Sequence, residues 1–275
     1  MATNPLQKYF RQPKIYIKLP SMGAYSKPGV ITGDANNLAV FGMTGMDEII
    51  IKTPDALITG ESTVKVIESC CPSINDAWQL NNLDLDLMLA AIRIATYGNT
   101  ITMSHTCQFC STDNEYELDL SRLIDHYNHI SFEDSAVLKD LVVKLQPLTY
   151  KQTTEFGQKN FQLRQQLNRA NSIEAEEERN KEVSRLYVEF SKLQIEVYSA
   201  NINAIEVSNT VVNERAFIDE WIANADKETV DQLRKFIDKN TELWKTPPQL
   251  VKCESCGEEN TLSIELDHSS FFATA

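Results

Sequence analysis

Two cysteine pairs constrain this chain more than any other feature. "HTCQFCSTDNEYELDL" at 105–120 and "VKCESCGEENTLSIELD" at 251–267 share one order: a C-x2-C pair, a polar turn, then an alternating, strand-like run. A C-x2-C turn delivers two thiolates from one tight loop, and a tetrahedral metal site takes four soft ligands. Cys107, Cys110, Cys253 and Cys256 together predict a four-cysteine zinc site of the zinc-ribbon kind, with an insertion between its two knuckles. Four thiolates close the coordination sphere, so the zinc would be structural. Gly257 follows the second pair, where such turns call for positive φ. Two other readings stay open at this stage: turns that hold no metal, and redox-active pairs. The redox reading is disfavoured because neither pair opens a helix in a βαβ setting.

The remaining cysteines and the histidines read differently. Cys70 and Cys71 lie at the end of an apolar helical stretch and read as small buried hydrophobes. His105 precedes the first pair and could replace a ligand. His126 and His129 sit three apart on a short helix and read as surface residues. The acids of "LDLDL", Asp84 and Asp86, read as a helix start and surface rather than a carboxylate pair. No P-loop, G-x-G-x-x-G, G-x-S-x-G or H-E-x-x-H stands anywhere in the chain, which predicts a non-enzyme.

Along the chain, "KIYIKL" and "NLAVFGM" are short β-prone runs among turn signals, with Gly23, Pro28 and Gly29 setting turns. Thr44 and Asp47 have capping-box spacing at the start of a helical stretch. "STVKVIESCCPSI" reads as a helix stopped by Pro72. "NLDLDLMLAAIRIATYGN" is apolar around most of its circumference, predicting a buried helix with Gly98 as its C-cap. Strands "TITMSHT" and "EYELDL" flank the first pair, then come a helix "SRLIDHYNHI" and a strand "VLKDLVVKLQPL". From Tyr150 the composition shifts to helix formers. Val183, Leu186, Phe190, Leu193, Val197, Ala200, Ala204 and Val207 step by three and four, an a/d seam over about three heptads. Phe156, Leu163, Leu167 and Ala170 offer a matching stripe. An antiparallel hairpin within one chain is favoured, and pairing of two chains through a 183–207 helix stays open. The acidic connector "EAEEERNKE" reads as solvated surface, and "NERAFIDEWIANA" and "KETVDQLRKFIDKN" as two further amphipathic helices.

The expected fold is therefore α+β: a small β-rich, zinc-ribbon-like module carrying a long helical insertion. The expected divisions are 1–148 with the first knuckle, 149–246 helical, and 247–275 returning with the second knuckle. Net charge is −13, with 42% hydrophobic and 24% charged residues. An acidic excess of this size argues against binding a phosphate backbone, which needs clustered Lys and Arg. No apolar run is long enough to span a membrane. The opening segment lacks the apolar stretch of a secretory signal, so the thiols are expected to be kept in a reducing compartment.

Five motifs in order carry a resemblance. They are Leu19-Pro20-Ser21-x-Gly23 with Tyr25 displaced by one or two, Met43-Thr44 with Asp47-Glu48, Ile92-Arg93 with Tyr97-Gly98, the "HTCQFC" turn, and the closing "CESCGEENTLSIELDHSSFF". The chain resembles the baseplate hub family of T-even-type contractile-tail bacteriophages over roughly residues 15–125 and the C-terminal tail. It departs from the family's Cys-Pro-x-Cys-Gly turns, keeping only Gly257. The resemblance implies a hub subunit or hub assembly factor that works by binding other proteins. The implied partners are hub or tape-measure proteins, the place is the host cytoplasm during assembly, and the chain could end in the virion's tail baseplate. A zinc-ribbon nucleic-acid-binding protein is the alternative.

Overall fold

The computed structural model of the chain describes residues 4–53, 59–208 and 210–262. The fold is α+β, with small sheets and two compact units. One unit is formed by two stretches of chain, up to Ser131 and from Trp244 onward; the other is the continuous stretch Phe132–Leu243.

The first unit is organised on one buried helix. Strands β1 (Pro13–Ile17) and β2 (Leu38–Phe41) pair antiparallel, with Ile17 opposite Leu38 and Tyr16 opposite Ala39. Helix α1 (Gly45–Ile51) begins at Thr44, whose side chain and that of Asp47 form the expected reciprocal capping box. Helix α2 (Glu61–Cys70) ends before Pro72; the expected helical stretch between α1 and α2 lies partly outside the described residues, at 54–58. Helix α3 (Asn82–Tyr97) buries ten apolar residues, from Leu83 to Ala95, on nearly all sides, and Gly98 ends it. The chain at Gly42 runs so close to α3 that a Cβ there would meet the Ala95 carbonyl oxygen at 2.8 Å. Glycine is thus required at that crossing by space rather than by dihedral angle.

Polar groups hold this unit where loops meet helices. Asp84, expected on the surface, is fully buried within α3. Its carboxylate accepts from the Ser21 amide at 2.9 Å, the Ser21 hydroxyl at 2.5 Å and the Asn81 carboxamide at 2.8 Å. The physical cause is plain: a helix wrapped on nearly all sides leaves little solvent face, so an acid on a covered side is buried and must find donors. Burial pushes the Asp84 carboxyl above its ordinary range, against the pull of those donors. Arg11 likewise donates to the Gly42 carbonyl at 2.7 Å, the Ser69 carbonyl at 2.6 Å and Asp47 at 3.3 Å. Cys70 and Cys71 are buried as expected, and burial pushes their thiols to about 12 and about 11.

The second unit carries a four-stranded antiparallel sheet in the order β5 (Ser135–Leu138), β6 (Leu141–Leu145), β7 (Ile202–Val207), β8 (Thr210–Val212). The single strand expected over 137–148 is in fact split between β5 and β6, a hairpin that turns at Lys139 with φ +54°. Between β6 and β7 rises a helical hairpin, α5 (Tyr150–Asn171) and α6 (Glu176–Ala200). Thr149 and Gln152 cap α5 reciprocally. Leu186 and Leu193 of α6 and Ala170 of α5 are buried, and Lys159 reaches Glu196 across the pair at 2.7 Å. The hairpin is therefore intrachain. Helices α7 (Arg215–Asn224) and α8 (Lys227–Leu243) supply Ile218, Ile222, Leu233 and Ile237 to a core with Val143, Leu145, Tyr198, Ile202 and Ile205.

The 183–207 helix needs correction. The helix stops at Ala200, where the Asn201 side chain donates back to the Val197 carbonyl at 2.8 Å. Ala204 and Val207 belong to β7, opposite Lys144 and Leu141. Their three- and four-residue steps are coincidental, because "INAIEV" is short and β-branched and its backbone is claimed by β6. The helical stripe therefore runs from Val183 to Ala200, with Leu186 and Leu193 buried within the chain.

Candidate metal centre

Each cysteine pair forms the turn of a β-hairpin within the first unit. Strands β3 (Thr100–Thr106) and β4 (Asp113–Asp119) carry the first, and β9 (Gln249–Lys252) and β10 (Glu259–Leu262) carry the second. The run expected beyond Leu262, to Asp267, lies outside the described residues. The two turns repeat each other bond for bond. Cys107 N donates to the Thr112 carbonyl and Ser111 N to the Cys107 carbonyl, both at 2.9 Å. Cys253 N donates to the Glu258 carbonyl and Gly257 N to the Cys253 carbonyl, again at 2.9 Å. The residue after the second cysteine is left-handed in both, Ser111 at φ +57° and Gly257 at φ +76°.

The four sulfurs converge. Cys107 and Cys256 Sγ stand 3.7 Å apart, Cys110 and Cys253 Sγ 3.6 Å apart, and all four lie within 4.8 Å of one another. These separations are too long for a sulfur–sulfur bond, about 2.05 Å. The 3.6 and 3.7 Å separations match the edge of a tetrahedron of sulfurs about 2.3 Å from a central ion, which is about 3.8 Å. The donor set therefore suits a metal ion. Cys107 and Cys253 are buried, while Cys110 and Cys256 are exposed.

The thiols are electrostatically unequal. Burial opposes ionisation of Cys107, but the amides of Cys110 and Phe109 and the Asn260 side chain outweigh it and bring the thiol down to about 6. Cys253 is also lowered, chiefly by the Cys256 amide. Cys256 is pushed up to about 12: the Glu258 amide favours its thiolate, but burial and the three neighbouring sulfurs oppose it. Four thiolates this close would repel, and a cation among them would allow all four to ionise.

His105 lies on β3 opposite Asn114 and is not among the converging ligands. His126 packs edge-on against Tyr127, ring centroids 5.5 Å apart. His129 Nδ1 lies 2.6 Å from the Asp125 carbonyl of its own helix, α4 (Ser121–His129), and donates to it. Tyr127 in turn stacks on Trp244 at 6.2 Å and bonds Thr246 at 3.1 Å, joining the two stretches of the first unit near the point where the chain leaves and returns. The residues missed in the sequence are Asn114 and Asn260. Both are buried, and both bond to the opposite turn. A signal was present: each stands seven positions after the first cysteine of its own pair, in "CQFCSTDN" and "CESCGEEN".

Fold and site together define an α+β protein with a clustered-thiol unit and a second unit inserted between the cysteine pairs. A family model described as T4 bacteriophage base plate protein matches residues 43–273, and the chain belongs to that family. No curated protein and no solved structure matches it. Membership carries a structural or assembly role in a phage tail, among other tail proteins. No helix among the described residues is long and apolar enough to cross a membrane.

Proposed function

We propose that this chain is a non-enzymatic component of the baseplate hub, a hub subunit or hub assembly factor that works by binding hub or tape-measure proteins. The four-thiolate cluster in a baseplate-family chain is the observation that carries it. Zn2+ held by Cys107, Cys110, Cys253 and Cys256 acts as a structural staple: four protein ligands leave no position for water or substrate. The acidic balance of −13 fits protein partners better than nucleic acid. Assembly takes place in the host cytoplasm and leads to the tail baseplate.

The test is quantitative mass spectrometry of purified infectious particles and of isolated hub intermediates, against a known baseplate protein. A fixed small-integer ratio in both makes the chain a hub subunit. Presence in intermediates alone makes it an assembly factor. Absence from both, with no hub or tape-measure protein retained on the immobilised chain, overturns the proposal.

A further inference from the structure

The two buried asparagines cross between the knuckles. Asn260, on the second hairpin, accepts from the Gln108 amide of the first turn at 3.0 Å and donates to Cys107 Sγ at 3.4 Å. Asn114, on the first hairpin, accepts from the Glu254 amide of the second turn at 3.0 Å and donates to Cys253 Sγ at 3.5 Å. Each asparagine also holds its own turn, Asn114 through the Thr112 carbonyl at 2.9 Å and Asn260 through the Glu258 carbonyl at 3.2 Å. The relation is twofold in character: the same position in each turn contacts the same two atoms of the other. Exposures of 5% and 2% leave little room for water to substitute for these bonds.

We propose that Asn114 and Asn260 are reciprocal positioning residues of the metal centre, each docking the opposite knuckle and donating a hydrogen bond to that knuckle's first sulfur. A carboxamide is the side chain that can do both, since it offers an acceptor to the backbone amide and a donor to the sulfur. Aspartate would keep the acceptor but face the sulfur with a second anion. Partners behind a metal ligand orient it and tune its charge, and losing one lowers metal affinity by about 10- to 100-fold. The inference rests on the reading of the cluster as a metal centre.

The experiment uses the full chain with Co2+ and Zn2+ as probes, comparing wild type with Asn114→Asp, Asn260→Asp and the uncharged Asn114→Ala and Asn260→Ala. Affinity is read by competition with a chromophoric chelator, and the ligand set by the Co2+ ligand-field spectrum. Each variant is expected to keep the tetrahedral four-thiolate spectrum while losing about 10- to 100-fold in affinity, with the two Asp variants similar to each other. Loss of the N–H···S donor also moves the thiolate-to-cobalt charge-transfer band to lower energy, which a purely structural weakening would leave in place. Wild-type affinity in the Asp or Ala variants overturns the inference, as does an effect confined to one asparagine. An Asp variant that fails to fold leaves the Ala pair to decide. A wild-type chain that takes up neither ion overturns the metal reading itself, which is a separate result.

Discussion

The stretch Phe132–Leu243 and the unit around it bury their interiors by different means. The inserted unit is one continuous segment: hairpin β5/β6, helical hairpin α5/α6, then α7 and α8 closing on a hydrophobic cluster. The surrounding unit is discontinuous. Its two stretches meet through the Cys110–Cys253 contact, which joins positions 143 apart, and its loops are fastened by the buried carboxyl of Asp84 and by Arg11. A continuous segment with such a core is held chiefly by area removed from water. A unit whose chain departs and returns faces a loop-closure cost, which directional bonds between its two stretches offset.

The largest effect expected from this contrast is on removal of the metal proposed for the four thiols. Stripping it with a chelator, or replacing Cys253 by Ser, should cost the first unit on the order of 5 kcal/mol, the scale of a cross-link that closes a loop of this length. Hydrogen exchange read by mass spectrometry should then show α3 losing protection while α7 and α8 keep theirs. Equal loss in both units would break the comparison. In the opposite direction, Leu233→Ala opens a cavity in the apolar cluster and should cost about 3 kcal/mol. Urea unfolding should register it in the inserted unit, with metal affinity unchanged.

Asp84→Ala should destabilise the first unit by about 2 kcal/mol, because it leaves the Ser21 amide and the Asn81 carboxamide buried without their acceptor. A change no larger than that of an exposed-site control would mean the network contributes little. The two knuckles allow a finer comparison. Gly257→Ala places a Cβ at φ +76° and should cost about 1 kcal/mol, whereas Ser111→Gly relieves the same strain at φ +57° and should be stabilising by a similar or smaller amount. Opposite signs in thermal unfolding of the metal-bound chain are the expected result.

The smallest effect is in acid. Asp226 accepts from Lys139 at 2.5 Å and from the Thr229 amide at 2.8 Å, which hold its carboxyl down at about 2. Because the folded value is depressed, its contribution is present above the ordinary carboxylate range and is lost as pH falls through about 2. Asp226→Asn should flatten the acid limb of stability in the inserted unit slightly. An unchanged limb would assign that pH dependence to other groups.

Much of the local structure was legible. Capping at Thr44, the ending of α3 at Gly98, the strands flanking Cys107 and Cys110, and the α5/α6 hairpin all follow from side-chain chemistry within a few residues. The helix periodicity failed at Ala204 and Val207, where the steps fit a helix but the backbone belongs to a sheet. Asp84 failed for a related reason, since alternation with leucines shows an acid among apolar residues without showing that every side of the helix is covered.

The sequence by itself determined the four candidate sulfur ligands, because a C-x2-C turn is a local object and its repetition is visible in one dimension. It also determined the helix start at Thr44 and the helix end at Gly98, since caps act over one turn. Only the tertiary structure decided that Asn114 and Asn260 reach each other's knuckles, that Ile202–Val207 is a strand, and that Asp84 is an interior anchor. Those outcomes depend on which distant backbone group arrives within hydrogen-bond reach. Distance along the chain carries no information about that, and a buried polar group takes whatever partner the packing brings to it.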